Sequence, residues 1–239
     1  MPYAIPNVAL EFNAVASAVP RAWWRSVENS FNGFVVESFI DELAAAAGRD
    51  PFEFRRGLLV KPPNWKSKDE DDVDPARLRG VLELAAQKSG WGAPLPKGRG
   101  RGIAAFCSFG SYFAEVAEVT VTGRNFKIDR MVAAVDCGRI VNPESVRSQT
   151  EGAIIFGLSA ALKNEITLKD GAIEQTNFDG YDPIRIHEAP PIEVHLTPSK
   201  EDCGGMGEPG LPPAAPAVAN AIFAACGQRL RKLPFQLQA

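Results

Sequence analysis

The spacing of apolar and polar positions changes several times along the chain, and each change marks a predicted element. Alternation around Val8, Leu10 and Phe12 predicts a strand feeding a loop that runs to about Val19. Pro20-Arg21-Ala22-Trp23-Trp24-Arg25-Ser26-Val27-Glu28-Asn29 has no period and reads as an aromatic, basic loop. From Ser30 the spacing turns helical: Phe31, Phe34, Val35, Ser38, Phe39 and Leu43 recur at three- and four-residue intervals, and Gly48 supplies a stop. Asp50 and Pro51 form the cap and first position of a second, short helix, with Phe52, Phe54 and Leu58 expected to pack beneath it. Lys61 to Asp74 is polar, bears prolines and the acidic run Asp69-Glu70-Asp71-Asp72, and reads as exposed loop. Pro75 to Lys88 is predicted helical, with Leu78, Val81, Leu82 and Ala85 on its apolar face.

After a Gly/Pro-rich connection from Gly90 to Gly102 the pattern becomes that of strands. Gly102 to Phe106 is short and apolar; Tyr112 to Thr122 alternates, and Gly123-Arg124-Asn125 turns it into Phe126 to Val135. Asn142 caps a long apolar helix reaching about Leu162. Lys169-Asp170-Gly171 reads as a hairpin turn, Ile192 to Leu196 as a strand, and Pro212 to Ala225 as a final helix closed by Gly227. Helices and strands come in mixed clusters without regular βαβ alternation, so the predicted fold class is α+β. Sub-regions at about 1–60 and 100–239 are joined by the polar loop and helix at about 61–99.

Composition adds mainly exclusions. Of 239 residues, 45% are hydrophobic, enough for a sizeable core, and the net charge is −3. A non-specific grip on phosphate needs a basic surface, so nucleic acid is not an expected partner. The longest apolar stretch, Ala153 to Leu162, is too short to span a bilayer. No signal peptide is visible, and Met1-Pro2-Tyr3-Ala4-Ile5-Pro6-Asn7 reads like the interior of a longer protein. Cytoplasm and periplasm are both compatible with the sequence. Cys107, Cys137, Cys203 and Cys226 never form a CxxC pair, which argues against an iron–sulfur or zinc site and for four buried free thiols. His187 and His195 are read as structural, and no protein metal ligand is expected. No flavin or nicotinamide fingerprint is present, so neither FAD nor NAD is expected in this chain.

The segment richest in chemistry is Gly204-Gly205-Met206-Gly207-Glu208-Pro209-Gly210. Gly207 lets the main chain approach a bulky ligand, Pro209 biases Glu208 away from helical backbone, and one carboxylate is presented at the end of a loop that leads into a helix. A Gly/Pro-rich turn with one Glu is common, and the pattern by itself carries little.

This run, with Pro-Pro-Ala-Ala-Pro-Ala-Val-Ala-Asn-Ala-Ile after it, resembles the end of the large subunit of molybdenum hydroxylases in the xanthine dehydrogenase and aldehyde oxidase family. The branch it most resembles is that of the isoquinoline 1-oxidoreductase beta chain. Val36-Glu37-Ser38-Phe39-Ile40-Asp41-Glu42-Leu43-Ala44, Ala134 to Pro143 and Glu151 to Leu158 carry the likeness further, in the same order. The resemblance implies the C-terminal part of a molybdopterin-binding domain. It implies an enzyme that oxidises an aldehyde or N-heteroaromatic carbon with water-derived oxygen, Glu208 acting as general base. It further implies Gln149, Arg25 and Gly207 as cofactor-binding residues, with molybdenum held by a pterin in its cytosine dinucleotide form. Ser26 and Val27 depart from the Gly and Phe of better-known members, so substrate stacking does not carry over to Val27. Implied partners are the remaining part of the molybdenum subunit, a [2Fe-2S] subunit, a cytochrome c acceptor and a small-molecule substrate. The alternative is a non-catalytic binding or assembly module, a split remnant of such a subunit.

Overall fold

The structure, a computed structural model, describes residues 3–9, 11, 13–14, 22–60 and 73–238. Leu10, Phe12 and the acidic run Asp69 to Asp72 lie outside the described residues; Val8 is exposed and belongs to no strand. The elements run α1 (Glu28–Ala46), α2 (Pro51–Leu58), α3 (Pro75–Ser89), β1 (Arg99–Ser108), β2 (Ser111–Thr122), β3 (Asn125–Asp136), α4 (Pro143–Leu162), β4 (Leu168–Lys169), β5 (Ala172–Ile173), β6 (Ile192–Leu196) and α5 (Ala214–Cys226). The fold is α+β, as the mixed clusters predict.

One four-stranded sheet, in the order β1-β2-β3-β6, organises the chain. β1, β2 and β3 form an antiparallel meander, and β6 returns parallel to β3 with Ala134 opposite His195. On one face α3 contributes Leu78, Val81, Leu82 and Ala85, and with Ile40 and Leu59 they cover Ile103, Ala114, Val116 and Val132. On the other face α4 and α5 bring Ile154, Leu158, Ala217, Val218 and Ile222 onto Ala104, Ala117, Val119 and Ala133. Alternation along β2 therefore serves two cores, which is why nearly the whole strand is buried.

Local sequence explains most boundaries. The Asp50 side chain accepts the Glu53 N–H at 2.9 Å, and Asn142 accepts those of Glu144 and Ser145 at 3.0 and 3.1 Å. Asp170 and Gly171, both at positive φ, turn the β4–β5 hairpin. β1 is longer than its apolar run suggests, because Gly100 and Gly102 lie under α5. A β-carbon at Gly100 would overlap the backbone of Ala221, and one at Gly102 that of Ala217 and Ala221.

Two expectations are corrected. The periodic stripe of α1 only partly faces the core: Phe34 and Leu43 pack half-buried against it, but Phe31, Val35 and Phe39 are 61%, 62% and 57% exposed, whereas Gly33, Glu37, Ile40, Asp41 and Ala44 are buried. Charge complementarity causes the difference. In α2 the fully buried residue is Arg55 rather than a phenylalanine, and its guanidinium pairs with Glu37 at 2.9 Å and Asp41 at 3.4 Å. The thiols also differ from expectation: Cys137 is buried, Cys107 partly buried, and Cys203 and Cys226 are exposed, because the last two sit in a surface loop and at the open end of α5. No helix among the described residues is long and apolar enough to cross a membrane.

Candidate active site

The glycine-rich loop before α5 is pinned at its entry. Gly204 N–H donates to the Cys137 carbonyl (2.9 Å), Gly205 N–H to the Phe109 carbonyl (2.7 Å), and the Ser111 hydroxyl to the Gly205 carbonyl (2.7 Å). The β1–β2 turn that supplies these partners has positive φ at both Phe109 and Gly110. At the exit, Leu211 N–H closes a turn on the Glu208 carbonyl at 3.0 Å. Gly210 is wedged so tightly that a β-carbon there would stand 3.1 Å from Phe113 and 3.2 Å from Ala153. Glu208 is thereby presented, half-buried, from a loop with little freedom.

Arg25 reaches this loop from across the chain. Its Nε donates to the Gly207 carbonyl at 2.8 Å, and Nη2 donates to the same oxygen. Nη1 donates to the Gly152 carbonyl at 3.1 Å, and Nη2 approaches Gln149 Oε1 at 3.5 Å, the outer limit of a hydrogen bond. The guanidinium also lies 5.6 Å from the Phe156 ring centroid, and Trp24 packs on that ring at 5.0 Å. Burial lowers the Arg25 pKa, and the nearby Glu208 carboxylate opposes the shift.

Arg25, Gln149, Gly207 and Glu208, the four residues singled out in the sequence, thus stand together although up to 183 positions apart. Most Arg25 donors are turned onto protein carbonyls, so Arg25 acts first as a brace between α4 and the Glu208 loop. Gln149 is exposed, and its Nε2 has no partner among the described residues. A free amide donor, with the neighbouring exposed Gly207 backbone, fits a polar heterocycle edge.

Ser26, marked in the sequence only as a departure from glycine, has a role the sequence does not reveal. It is wholly buried; its N–H donates to Glu208 Oε1 at 2.8 Å and its hydroxyl to the Glu208 carbonyl at 2.7 Å. Those two bonds require φ of 72° at Ser26, and the turn continues through Val27 at φ 50°, a strained value for a β-branched residue. A glycine would adopt this φ without strain, and the hydroxyl bond is what serine adds. Glu208 Oε2 takes no hydrogen bond from the described residues, so one carboxylate oxygen is fixed and the other remains open to a proton. Val27 sits at the N-terminus of α1.

A family model described as a molybdopterin cofactor-binding domain matches residues 41–190. The chain is similar to a membrane-bound aldehyde dehydrogenase [pyrroloquinoline-quinone] of Gluconacetobacter polyoxogenes, 34% identical over 89% of this chain. It is also similar to one subunit of the nicotinate dehydrogenase of Pseudomonas putida, 33% identical over 98%, and to the beta chain of the isoquinoline 1-oxidoreductase of Brevundimonas diminuta, 28% identical over 98%. It spans 28%, 20% and 29% of those relatives' lengths. Among solved structures, the aldehyde oxidoreductases of Desulfovibrio desulfuricans and Desulfovibrio gigas share the fold, with TM-scores of 0.69 and 0.68 over 89% and 88% of this chain and 40% of each of theirs. Identity there is 17% and 15%, and that likeness is one of fold alone.

Proposed function

This chain belongs to the molybdopterin cofactor-binding domain family, and on that premise we propose that it supplies the general base and part of the cofactor cradle of a molybdenum hydroxylase. The single observation that carries the proposal is the convergence of Arg25, Gln149 and Gly207 around Glu208, with Ser26 fixing one carboxylate oxygen and leaving the other open. Gln149 Nε2 and the Gly207 backbone would hold the pterin, taken here in its cytosine dinucleotide form, while Arg25 keeps the two in register. When bound, that group supplies the two-electron acceptor and the activated, water-derived oxygen that protein side chains lack. Glu208, held at Oε1 by the Ser26 N–H, would take up a proton at its open Oε2, a role in which a positioned base contributes on the order of 10²–10⁴ in rate.

The substrate class follows as an aldehyde or an N-heteroaromatic ring, in line with the names of the relatives from Gluconacetobacter, Pseudomonas and Brevundimonas. The first of those names attaches a quinone to that protein; the molybdopterin model matched by residues 41–190 is the better guide here. Partners in the reading are the remainder of the molybdenum subunit, a [2Fe-2S] subunit and a cytochrome c acceptor.

The cradle is tested on the assembled enzyme. Gln149→Ala and Arg25→Ala should each weaken cofactor retention, by the roughly 10–100-fold in affinity typical of groups that support a metal centre. Molybdenum per subunit after gel filtration measures it, and wild-type molybdenum in both variants would overturn the cradle.

A further inference from the structure

Behind the Glu208 loop lies a second carboxylate that the mechanism leaves unused. Glu115, in the middle of β2, is completely buried, and neither of its side-chain oxygens has a hydrogen-bond partner among the described residues. A polar group left unmet in a core is costly, so its persistence asks for an explanation.

Register and packing fix what Glu115 faces. It pairs with Ala104 of β1 and Ala133 of β3, so it shares the sheet face of those alanines, which look towards α4 and α5. Along β1, Gly100 abuts Ala221 and Ala225, and Gly102 abuts Ala217 and Ala221. Two strand residues therefore match four helix residues, and the same step carried on from Gly102 leads from Ala104, with its partner Glu115, towards the first turn of α5. That turn has no side-chain cap. Ala214 N–H reaches the Leu211 carbonyl and Ala217 N–H the Pro213 carbonyl, while position 216 is a proline; Ala215 N–H is left without a backbone acceptor from outside the helix among the described residues. An uncapped helix start and a buried, unpartnered acid thus belong to the same face of the sheet.

We propose that Glu115 is held as a neutral carboxylic acid, joined through one buried water to the first turn of α5, and that this bridge is a positioning device for the loop carrying Glu208. The water oxygen would accept hydrogen bonds from the acid O–H and from the stranded Ala215 N–H, the proton staying on Glu115, as buried waters do between otherwise unpaired polar groups. Transmission to Glu208 is short. Phe113, two residues along the same strand face, touches Gly210, and Leu211, which bonds Glu208, leads directly into α5. The Glu115 face of β1 and β3 carries Ala104, Ala133, Met131 and Val135, and the core over that face is built from Ala214, Ala217 and Val218 of α5 and Ile154 and Leu158 of α4, none of them titratable. Burial alone raises the Glu115 pKa well above the ordinary carboxylate value. The helix dipole would favour the anion, but desolvation is the larger influence on a carboxylate enclosed in hydrocarbon.

The catalytic consequence rests on the reading of Glu208 as base; the bridge itself does not. In the purified chain, isotope-edited infrared spectra of wild type minus Glu115→Gln should show a protonated carboxyl band that persists at pH 8. A carboxylate band in its place would overturn the proposal. The unfolded chain ionises Glu115 near roughly 4.3, and the folded chain only far above it. Wild type should therefore lose stability relative to Glu115→Gln as pH rises past that value, with the gap closing below it. A gap independent of pH would also overturn it. In the assembled enzyme Glu115→Gln should keep kcat per molybdenum within about threefold, since an amide can make the same bridge, and Glu115→Leu should lower it at least tenfold with KM little changed. Equal kcat in the two variants would remove the positioning role. Should Glu115→Leu fail to fold, the infrared and pH arms still decide, and neither depends on whether Glu208 is the base.

Discussion

Replacing Arg55 by methionine should cost more stability than any surface change in the chain, although Arg55 is far from Glu208. Its guanidinium is fully buried between α1 and α2: Nε meets Glu37 Oε2 at 2.9 Å, Nη1 meets Asp41 Oδ1 at 3.4 Å, and Nη2 donates to the Glu37 carbonyl at 2.6 Å. Glu37 also accepts from the Tyr3 hydroxyl (2.8 Å) and the Ala105 N–H (3.0 Å), and Asp41 is held by Arg229 at 2.6 Å. Methionine fills most of the volume but strands the Glu37 charge with two neutral donors. Removing one partner of a buried pair typically costs about 3–5 kcal/mol. Asp41 keeps Arg229, so the lower half of that range applies. At about 2–4 °C per kcal/mol for a chain of this size, the melting temperature should fall by roughly 6–16 °C. Calorimetry and urea denaturation of the purified chain read it directly. Adding Glu37→Gln to Arg55→Met should recover part of the loss, a coupling of about 1–3 kcal/mol. A loss under about 1 kcal/mol, with no coupling, would refute the claim that this network fixes the orientation of α1.

Two further outcomes follow from particular contacts. Ser26→Ala removes the 2.7 Å hydroxyl bond to the Glu208 carbonyl and should cost about 0.5–1.5 kcal/mol, while Ser26→Gly loses the same bond but relaxes the positive φ; in urea denaturation the glycine variant should be the more stable, and the reverse order would show that the strain is not real. The exposed stripe of Phe31, Val35 and Phe39 should make the isolated chain self-associate, and the triple substitution to serine should return a monomer by light scattering; a monomeric wild type at high concentration would count against it.

The sequence made legible what rests on local signals. The caps at Asp50 and Asn142, the Asp170-Gly171 turn, the apolar face of α3 and the alternation of β2 and β3 all appear where spacing and turn chemistry put them. Periodicity finds α1 but misses part of its inward face, because charge pairing with Arg55 turns Glu37 and Asp41 inward and leaves Phe31, Val35 and Phe39 outside. β1 was underestimated because its glycines meet a helix more than a hundred positions away. At the site, motif resemblance picked out Arg25, Gln149, Gly207 and Glu208, which the structure brings together. The roles of Ser26 and Glu115 are not legible in the sequence, for different reasons. The role of Ser26 lies in a backbone conformation that composition does not announce, and Glu115 looks like any polar residue in an alternating strand until its surroundings are seen.

The claim that Glu208 is the base is tested most directly by Glu208→Gln in the assembled enzyme, with turnover expressed per molybdenum. Glutamine keeps the size and an oxygen for the Ser26 N–H, and removes only the capacity to take a proton. With Glu208 as the base, molybdenum content should stay near wild type while kcat and kcat/KM both fall by roughly 10²-fold or more. A Glu208→Gln enzyme with full molybdenum and near-normal turnover per metal would contradict it.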